Sequence, residues 1–169
     1  KEVKRVSSIL IKTRDPKFPD FEIQTGDLGI YVTKIKSKRI EKAYRSYKEK
    51  GIKLLSGLEK DPEGNEHFFF EDPYGNVFEI VSEHSIFTGT KALSGGVYGA
   101  VIGVSDIEKS RKFYSEILGY DTVVYKETGV FDDFKGLRRG NAKFDRLLLS
   151  HSKPREGAFS KMFGFSRIE

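Results

Sequence analysis

The stretch His67-Phe68-Phe69-Phe70-Glu71-Asp72-Pro73-Tyr74-Gly75-Asn76-Val77-Phe78-Glu79-Ile80-Val81 decides the fold. Two runs rich in aromatic and β-branched residues flank a short polar segment, the pattern of strand, turn, strand. Asp72, Pro73 and Gly75 stand at the first, second and fourth positions of a type I turn, each of which favours that residue. Glu79 lies between Phe78 and Ile80, so its side chain points to the face opposite both. A carboxylate on an otherwise apolar strand is costly unless it is paired, wet or bound to a cation. The search for chemistry starts from it.

Outward from this hairpin the chain repeats itself. Leu28-Gly29-Ile30-Tyr31-Val32, followed by Thr33-Lys34-Ile35, parallels Ala100-Val101-Ile102-Gly103-Val104, followed by Ser105-Asp106-Ile107. Val32 then matches Val104, Thr33 matches Ser105 and Ile35 matches Ile107. Thr33 and Ser105 are suitable helix N-caps, and Ser105 with Glu108 makes a capping box. One helix carries Ile40, Ala43, Tyr44 and Tyr47 on a single stripe and stops at Gly51. The other carries Phe113, Tyr114, Ile117 and Leu118 and stops at Gly119. This alignment makes the first helix longer by about one turn. Strand-like runs follow at 52–56, 66–71 and 77–82 in the first copy, and at 121–126, 143–150 and 165 onward in the second. Each copy therefore reads β-α-β-β-β.

The first 24 residues fit the tail of the same unit, with 6–11 as its third strand and 19–23 as its fourth. That places Glu22 where Glu79 stands, and the chain end, Phe165-Ser166-Arg167-Ile168-Glu169, repeats the pattern with Glu169. Three carboxylates at equivalent points of three strands are a constellation. Residues 83–96, with Thr88-Gly89-Thr90 and Ser94-Gly95-Gly96, read as a linker. Both ends of the chain read as cut, since Lys1 opens it shortly before a strand and Glu169 ends it inside another.

Composition narrows the classes. The 169 residues hold 30 Lys+Arg against 25 Asp+Glu, a net charge of +5. The cations are interleaved with acids, as in Lys42 to Lys50, which is a solvated face rather than a nucleic-acid surface. There is no Cys, so disulfides, a thiolate nucleophile and Cys-ligated zinc are excluded. No apolar run approaches the ~20 residues of a membrane span and no signal-peptide pattern opens the chain. The expectation is a soluble, cytoplasmic protein.

A β-α-β-β-β repeat with Asp-Pro-x-Gly-Asn ahead of a strand Glu resembles the vicinal oxygen chelate superfamily of glyoxalases, bleomycin-resistance proteins and extradiol dioxygenases. Val104 to Ser110, Phe113-Tyr114 and Ile117-Leu118-Gly119 resemble its opening strand and helix. Lys50-Gly51-Ile52-Lys53 and the Asp72–Glu79 hairpin resemble a second module. The resemblance implies an α+β fold in which tandem βαβββ modules build a half-open barrel with helices outside and a small-molecule cavity within. Residues 1–82 then read as the latter part of one domain (with a full module at 26–82), and 97–169 as the first module of the next. Their partners would be modules outside this sequence or a second copy in a homodimer; the alternative is direct pairing of 26–82 with 97–169. Unpaired modules would leave sheet edges open.

The same resemblance implies a divalent metal, Mn, Fe, Ni or Zn, held by a His near the start of each first strand and a Glu on each fourth, with vacant positions for a substrate's neighbouring oxygens. The Glu positions are filled by Glu22, Glu79 and Glu169, while the first-strand positions carry Asp27 and Gly99. The implied ligand set is thus Glu79, Glu22, Asp27 and Glu169. Lyase, isomerase or dioxygenase chemistry would follow from a bound metal, and metal-free sequestration of a small molecule, as in bleomycin-resistance proteins, is the alternative. His67, His84 and His151 fall outside the family's ligand positions and read as surface or strand-end residues. Phe68, Phe69 and Phe70 put aromatics on both faces of one strand, one for a helix and one for a cavity. Gly95-Gly96 precedes a strand rather than opening a helix, so it is no dinucleotide loop. Arg138-Arg139-Gly140 reads as a charged turn.

Overall fold

The structure is a computed structural model and describes residues 22–85, 91–153 and 166–169. The first module comprises β1 (Gly29–Ser37), α1 (Ile40–Glu49), β2 (Lys53–Leu54), β3 (Glu59–Lys60), β4 (Glu66–Glu71) and β5 (Val77–Ser82). The second comprises β6 (Val97–Gly103), α2 (Ile107–Leu118), β7 (Thr122–Gly129), a 3-10 turn at Asp132–Phe134, β8 (Phe144–Ser150) and β9 (Arg167–Ile168). One nine-stranded mixed sheet runs β2-β4-β5-β1-β6-β9-β8-β7, with β3 also beside β4. In each module the first strand lies parallel to the last, β1 with β5 and β6 with β9, and β1 and β6 join the modules antiparallel. The two modules therefore share a sheet directly, the arrangement set out above as the alternative. The α+β class holds.

The deciding hairpin forms as read. The Asp72 carbonyl accepts from Gly75 N at 3.1 Å, its carboxylate accepts from the Tyr74 and Asn76 amides, and Gly75 has φ 86°. α1 places Ile40 and Ala43 against Phe68 and Ile80, with the Tyr44 and Tyr47 rings edge-on to Phe68 at 5.3 and 5.6 Å. The opposite face of the sheet carries a second core of Tyr31, Val32, Phe69 and Val77, covered by Phe131, Phe134 and Leu137 from the segment after β7.

Three readings change. β1 continues five residues past Val32 because it is sandwiched between β5 and β6, whose ladders fix Thr33 to Ser37 as strand against their local preference. Thr33 is therefore no cap; Arg39 precedes α1, with its amide 3.2 Å from Ser37 Oγ. In the second module the cap is Asp106 rather than Ser105, its carboxylate accepting from Lys109 N at 2.9 Å. Ile40 and Ile107 each open a helix, 67 positions apart. The modules align on that offset, and α1, with 10 residues, is the shorter helix against 12 in α2. Finally, the α2 stripe is not core: Phe113 is 54 % exposed and Ile117 66 %. The early strands at 6–11 and 19–21 lie outside the described residues, and residues 22–24 are not strand. Of the linker, residues 86–90 lie outside the description; its end runs along β1, with Lys36 N donating to the Gly96 carbonyl at 3.0 Å.

Candidate functional site

Glu79 is reached from the sequence pattern alone, and its surroundings follow from register. β1 and β5 pair Lys34 with Glu79, and β4 and β5 pair Phe69 with Glu79 and His67 with Val81, so Lys34, His67 and Glu79 share the face opposite α1. From the other module β9 delivers Glu169, whose amide donates to the Ala100 carbonyl at 3.0 Å. Lys34 Nζ lies 2.9 Å from Glu79 Oε2 and is also ion-paired to Glu169 Oε2. One ammonium thus bridges the corresponding carboxylates of the two modules. Their other oxygens are held from outside: Glu79 Oε1 lies 2.9 Å from His67 Nδ1, and Glu169 Oε1 accepts from Arg146 Nε and the Tyr125 hydroxyl. Arg146 Nη1 reaches Asp133 at 2.8 Å, and Asp133 Oδ2 lies 3.9 Å from His67 Nε2, which closes the circuit.

All of these charged groups are buried; Glu79 and His67 keep 1 % and 0 % of their exposure. Burial opposes every charge, so the direction of each shift shows which partner wins. For Lys34 burial is outweighed by Glu169 and Glu79, which hold the ammonium above the ordinary lysine range. Burial would raise Glu169, but Lys34 and Arg146 bring it down to about 2. Glu79 is also lowered, with Lys34 and His67 prevailing over burial. His67 is raised, its contact with Glu79 and the Asp133 charge overcoming burial. Asp133 goes the other way: burial lifts it, and Arg146 only partly offsets this. The Arg146 guanidinium stacks 3.9 Å from the Phe134 ring centre, so the 3-10 turn both covers the cluster and supplies Asp133 to it.

The expected site residues separate into two groups. Glu79 and Glu169 meet at Lys34. Glu22 sits on the surface 3.5 Å from Arg138, and Asp27 accepts from Gln24 N at 3.0 Å in the turn before β1. On the 67-residue offset the first-strand position matching Gly99 is Val32 rather than Asp27, and neither residue offers a donor atom. Gly99 has little room for one, since a Cβ there would lie 1.9 Å from the Arg167 carbonyl oxygen. His67 is buried, not superficial. The signal for it was its alternation with Phe69, which put it on the Glu79 face. Lys34, Tyr125, Asp133 and Arg146 were not singled out from the sequence.

Residues 9–80 match the family Glyoxalase/Bleomycin resistance protein/Dioxygenase superfamily. That match covers 72 of the 169 residues, the first module and the stretch just ahead of it. Among solved structures the chain's fold is similar to glyoxalase I from Zea mays, with 18% identity and a TM-score of 0.50 over 83% of this chain and 41% of that one. It is similar also to a proposed dioxygenase from Bacillus subtilis subsp. subtilis str. 168, with 14% identity and a TM-score of 0.54 over 86% of this chain and 42% of that one. The chain thus spans about two fifths of the length of these proteins. No curated protein matches it. No helix among the described residues is long and apolar enough to cross a membrane.

For a chain with this likeness, the donor set is the test of a bound metal. Carboxylate oxygens from both modules and an imidazole are suitable ligand types. Their inner oxygens, however, already face the Lys34 ammonium, and a dication cannot share that point with a buried cation. As they stand, the residues do not fit a divalent ion. Beside the cluster lies a cavity of about 320 Å³, bounded by β6, β8 and α2 and lined by Val101, Tyr114, Leu147 and Leu149 with Arg146 and Glu169. Two members of the ionic cluster therefore also form part of a mostly apolar cavity wall.

Proposed function

We propose that this chain binds a small organic molecule bearing neighbouring oxygen atoms, with its apolar part against Val101, Leu147 and Leu149 and its oxygens toward Arg146. The observation that carries the reading is the cavity of about 320 Å³ whose wall includes Arg146 and Glu169. That volume is at the small end of the range for ligand pockets, roughly 300 to 1,000 Å³. Arg146 and Glu169 are fixed by burial and pairing, so the polar part of the cavity wall has little reorganisation to make on binding. The metal-assisted isomerase, lyase and dioxygenase reactions associated with the superfamily require an ion where Lys34 stands, which favours binding over that chemistry.

The test is a thermal-shift and calorimetric screen of 2-oxo acids, 2-hydroxy ketones and catechols against the chain and against Ser110→Trp, whose indole would enter the cavity from α2. A compound present at one hundred times its Kd should stabilise the chain by about 2.7 kcal/mol and have no effect on Ser110→Trp. Absence of any stabilising compound at millimolar concentration, or equal stabilisation of both proteins, would overturn the proposal.

A further inference from the structure

We infer that Lys34 is a resident cation of this protein, standing between the fourth-strand glutamates of the two modules and keeping a divalent ion out. Four observations converge. The carboxylates come from corresponding strands, β5 and the end of β9, on either side of the β1–β6 seam. Both present the same kind of atom to one point: Glu79 Oε2 at 2.9 Å and Glu169 Oε2 each meet Lys34 Nζ. Their remaining oxygens are anchored elsewhere, Glu79 Oε1 by His67 and Glu169 Oε1 by Arg146 and Tyr125. Lys34 itself arrives on β1 directly opposite Gly99, where a side chain would press on the Arg167 carbonyl. The cation is therefore supplied from one strand while the facing strand is bare.

The ammonium does structurally what a bound ion would do: it neutralises two buried carboxylates and ties the modules across their seam. It differs in having no vacant coordination position and no Lewis acidity beyond its own protons. Taking it away would leave two preorganised oxygens pointing at one gap, their far sides still held. Such a pair, completed by water, suits a hard or borderline divalent ion. One side chain thus separates this chain from a metal-binding one.

The experiment compares the chain with Lys34→Ala and with Lys34→Gln, which keeps a polar group of similar reach. Each is equilibrated with Mn²⁺, Ni²⁺ or Zn²⁺, followed by calorimetry, metal analysis after desalting and, for Mn²⁺, paramagnetic resonance. The expected result is no uptake by the parent chain and one ion per chain in Lys34→Ala, with affinity falling at least tenfold in Lys34→Ala/Glu79→Gln. Circular dichroism checks folding; a Lys34→Ala chain that folds only when metal is added supports the inference equally. Stoichiometric uptake by the parent chain that disappears in Glu79→Gln would overturn it, whatever the variants do. So would a folded Lys34→Ala or Lys34→Gln that takes up no ion.

Discussion

Replacing Lys34 with Met keeps the length of the side chain and deletes its charge. Glu79 and Glu169 each touch the same ammonium, so their facing oxygens are at most about 6 Å apart, and at an effective dielectric near 20 their repulsion is about 3 kcal/mol. His67 and Arg146 still hold the outer oxygens, which limits the damage to one uncompensated charge. Removing one partner of a buried ion pair costs about 3–5 kcal/mol, against a total of about 5–15 kcal/mol for a domain. Lys34→Met should therefore lose about 4 kcal/mol in urea unfolding at pH 7, followed by circular dichroism. The loss should shrink toward pH 5, because without the ammonium a carboxylate accepts a proton more readily. Glu79→Gln in the Lys34→Met background should recover part of it, so the pair would be strongly non-additive. A loss under about 1 kcal/mol, or one that is equal at pH 7 and pH 5, would refute the view that the ammonium holds these carboxylates together.

Three further outcomes follow from the same geometry. Glu169 has its pKa lowered to about 2 by Lys34 and Arg146 against burial; its contribution is present above the unfolded value of about 4.5 and fades as pH falls toward 2, so Glu169→Gln should flatten the acid limb of the urea midpoint plotted against pH. Gly99→Ala would set a Cβ 1.9 Å from the Arg167 carbonyl oxygen and part β6 from β9, costing about 3 kcal/mol, whereas Gly95→Ala, with nothing within 4 Å of the added carbon, should change stability by under about 0.5 kcal/mol in the same assay. Asp106→Ala removes the carboxylate that caps α2 through Lys109 N and should cost about 1 kcal/mol in thermal unfolding.

The fold was largely readable because its signals are local. The Asp72–Gly75 turn, the α1 stripe and the Phe-rich strand each depend on residues a few positions apart, and each forms as expected. The α2 stripe shows the limit: Phe113 and Ile117 have the right spacing for a core face, yet helical periodicity identifies only a potential core face and not what covers it. Glu79 and Glu169 were legible as a pair because they belong to the last strand-like run of the unit in two copies. Lys34 was not, since the sequence pattern ends the first strand at Val32, with Thr33 as a helix cap and Lys34 beyond it, whereas β1 runs on to Ser37. Its role depends on a register among β1, β5 and β6 that local preferences do not fix. The five-residue misalignment of the repeat had the same origin: Val-Thr and Val-Ser look alike, but only the second pair ends a strand. Matching the helix starts, Ile40 with Ile107, would have placed Val32 opposite Gly99 in the alignment and exposed the absence of a first-strand ligand in both modules.

The charge balance of the cluster explains the state of His67. With Lys34 and Arg146 positive and Glu79, Glu169 and Asp133 negative, the five side chains leave one negative charge in a region from which water is excluded. A proton on His67 cancels it, and His67 is the group placed between two of the three acids, 2.9 Å from Glu79 and 3.9 Å from Asp133. That accounts for a histidine held above its ordinary pKa despite full burial. A raised pKa contributes stability that is complete below the unfolded value of about 6.5 and disappears as pH rises through the folded one. The nearer acid should dominate. In histidine-resolved NMR titrations Glu79→Gln should lower the His67 pKa, and Asp133→Asn should lower it by less, with both variants losing part of the parent chain's stability advantage at pH 6 over pH 9. A larger effect from Asp133→Asn would mean that the proton sits between His67 and the 3-10 turn, and the ordering of charges drawn from the distances would be wrong.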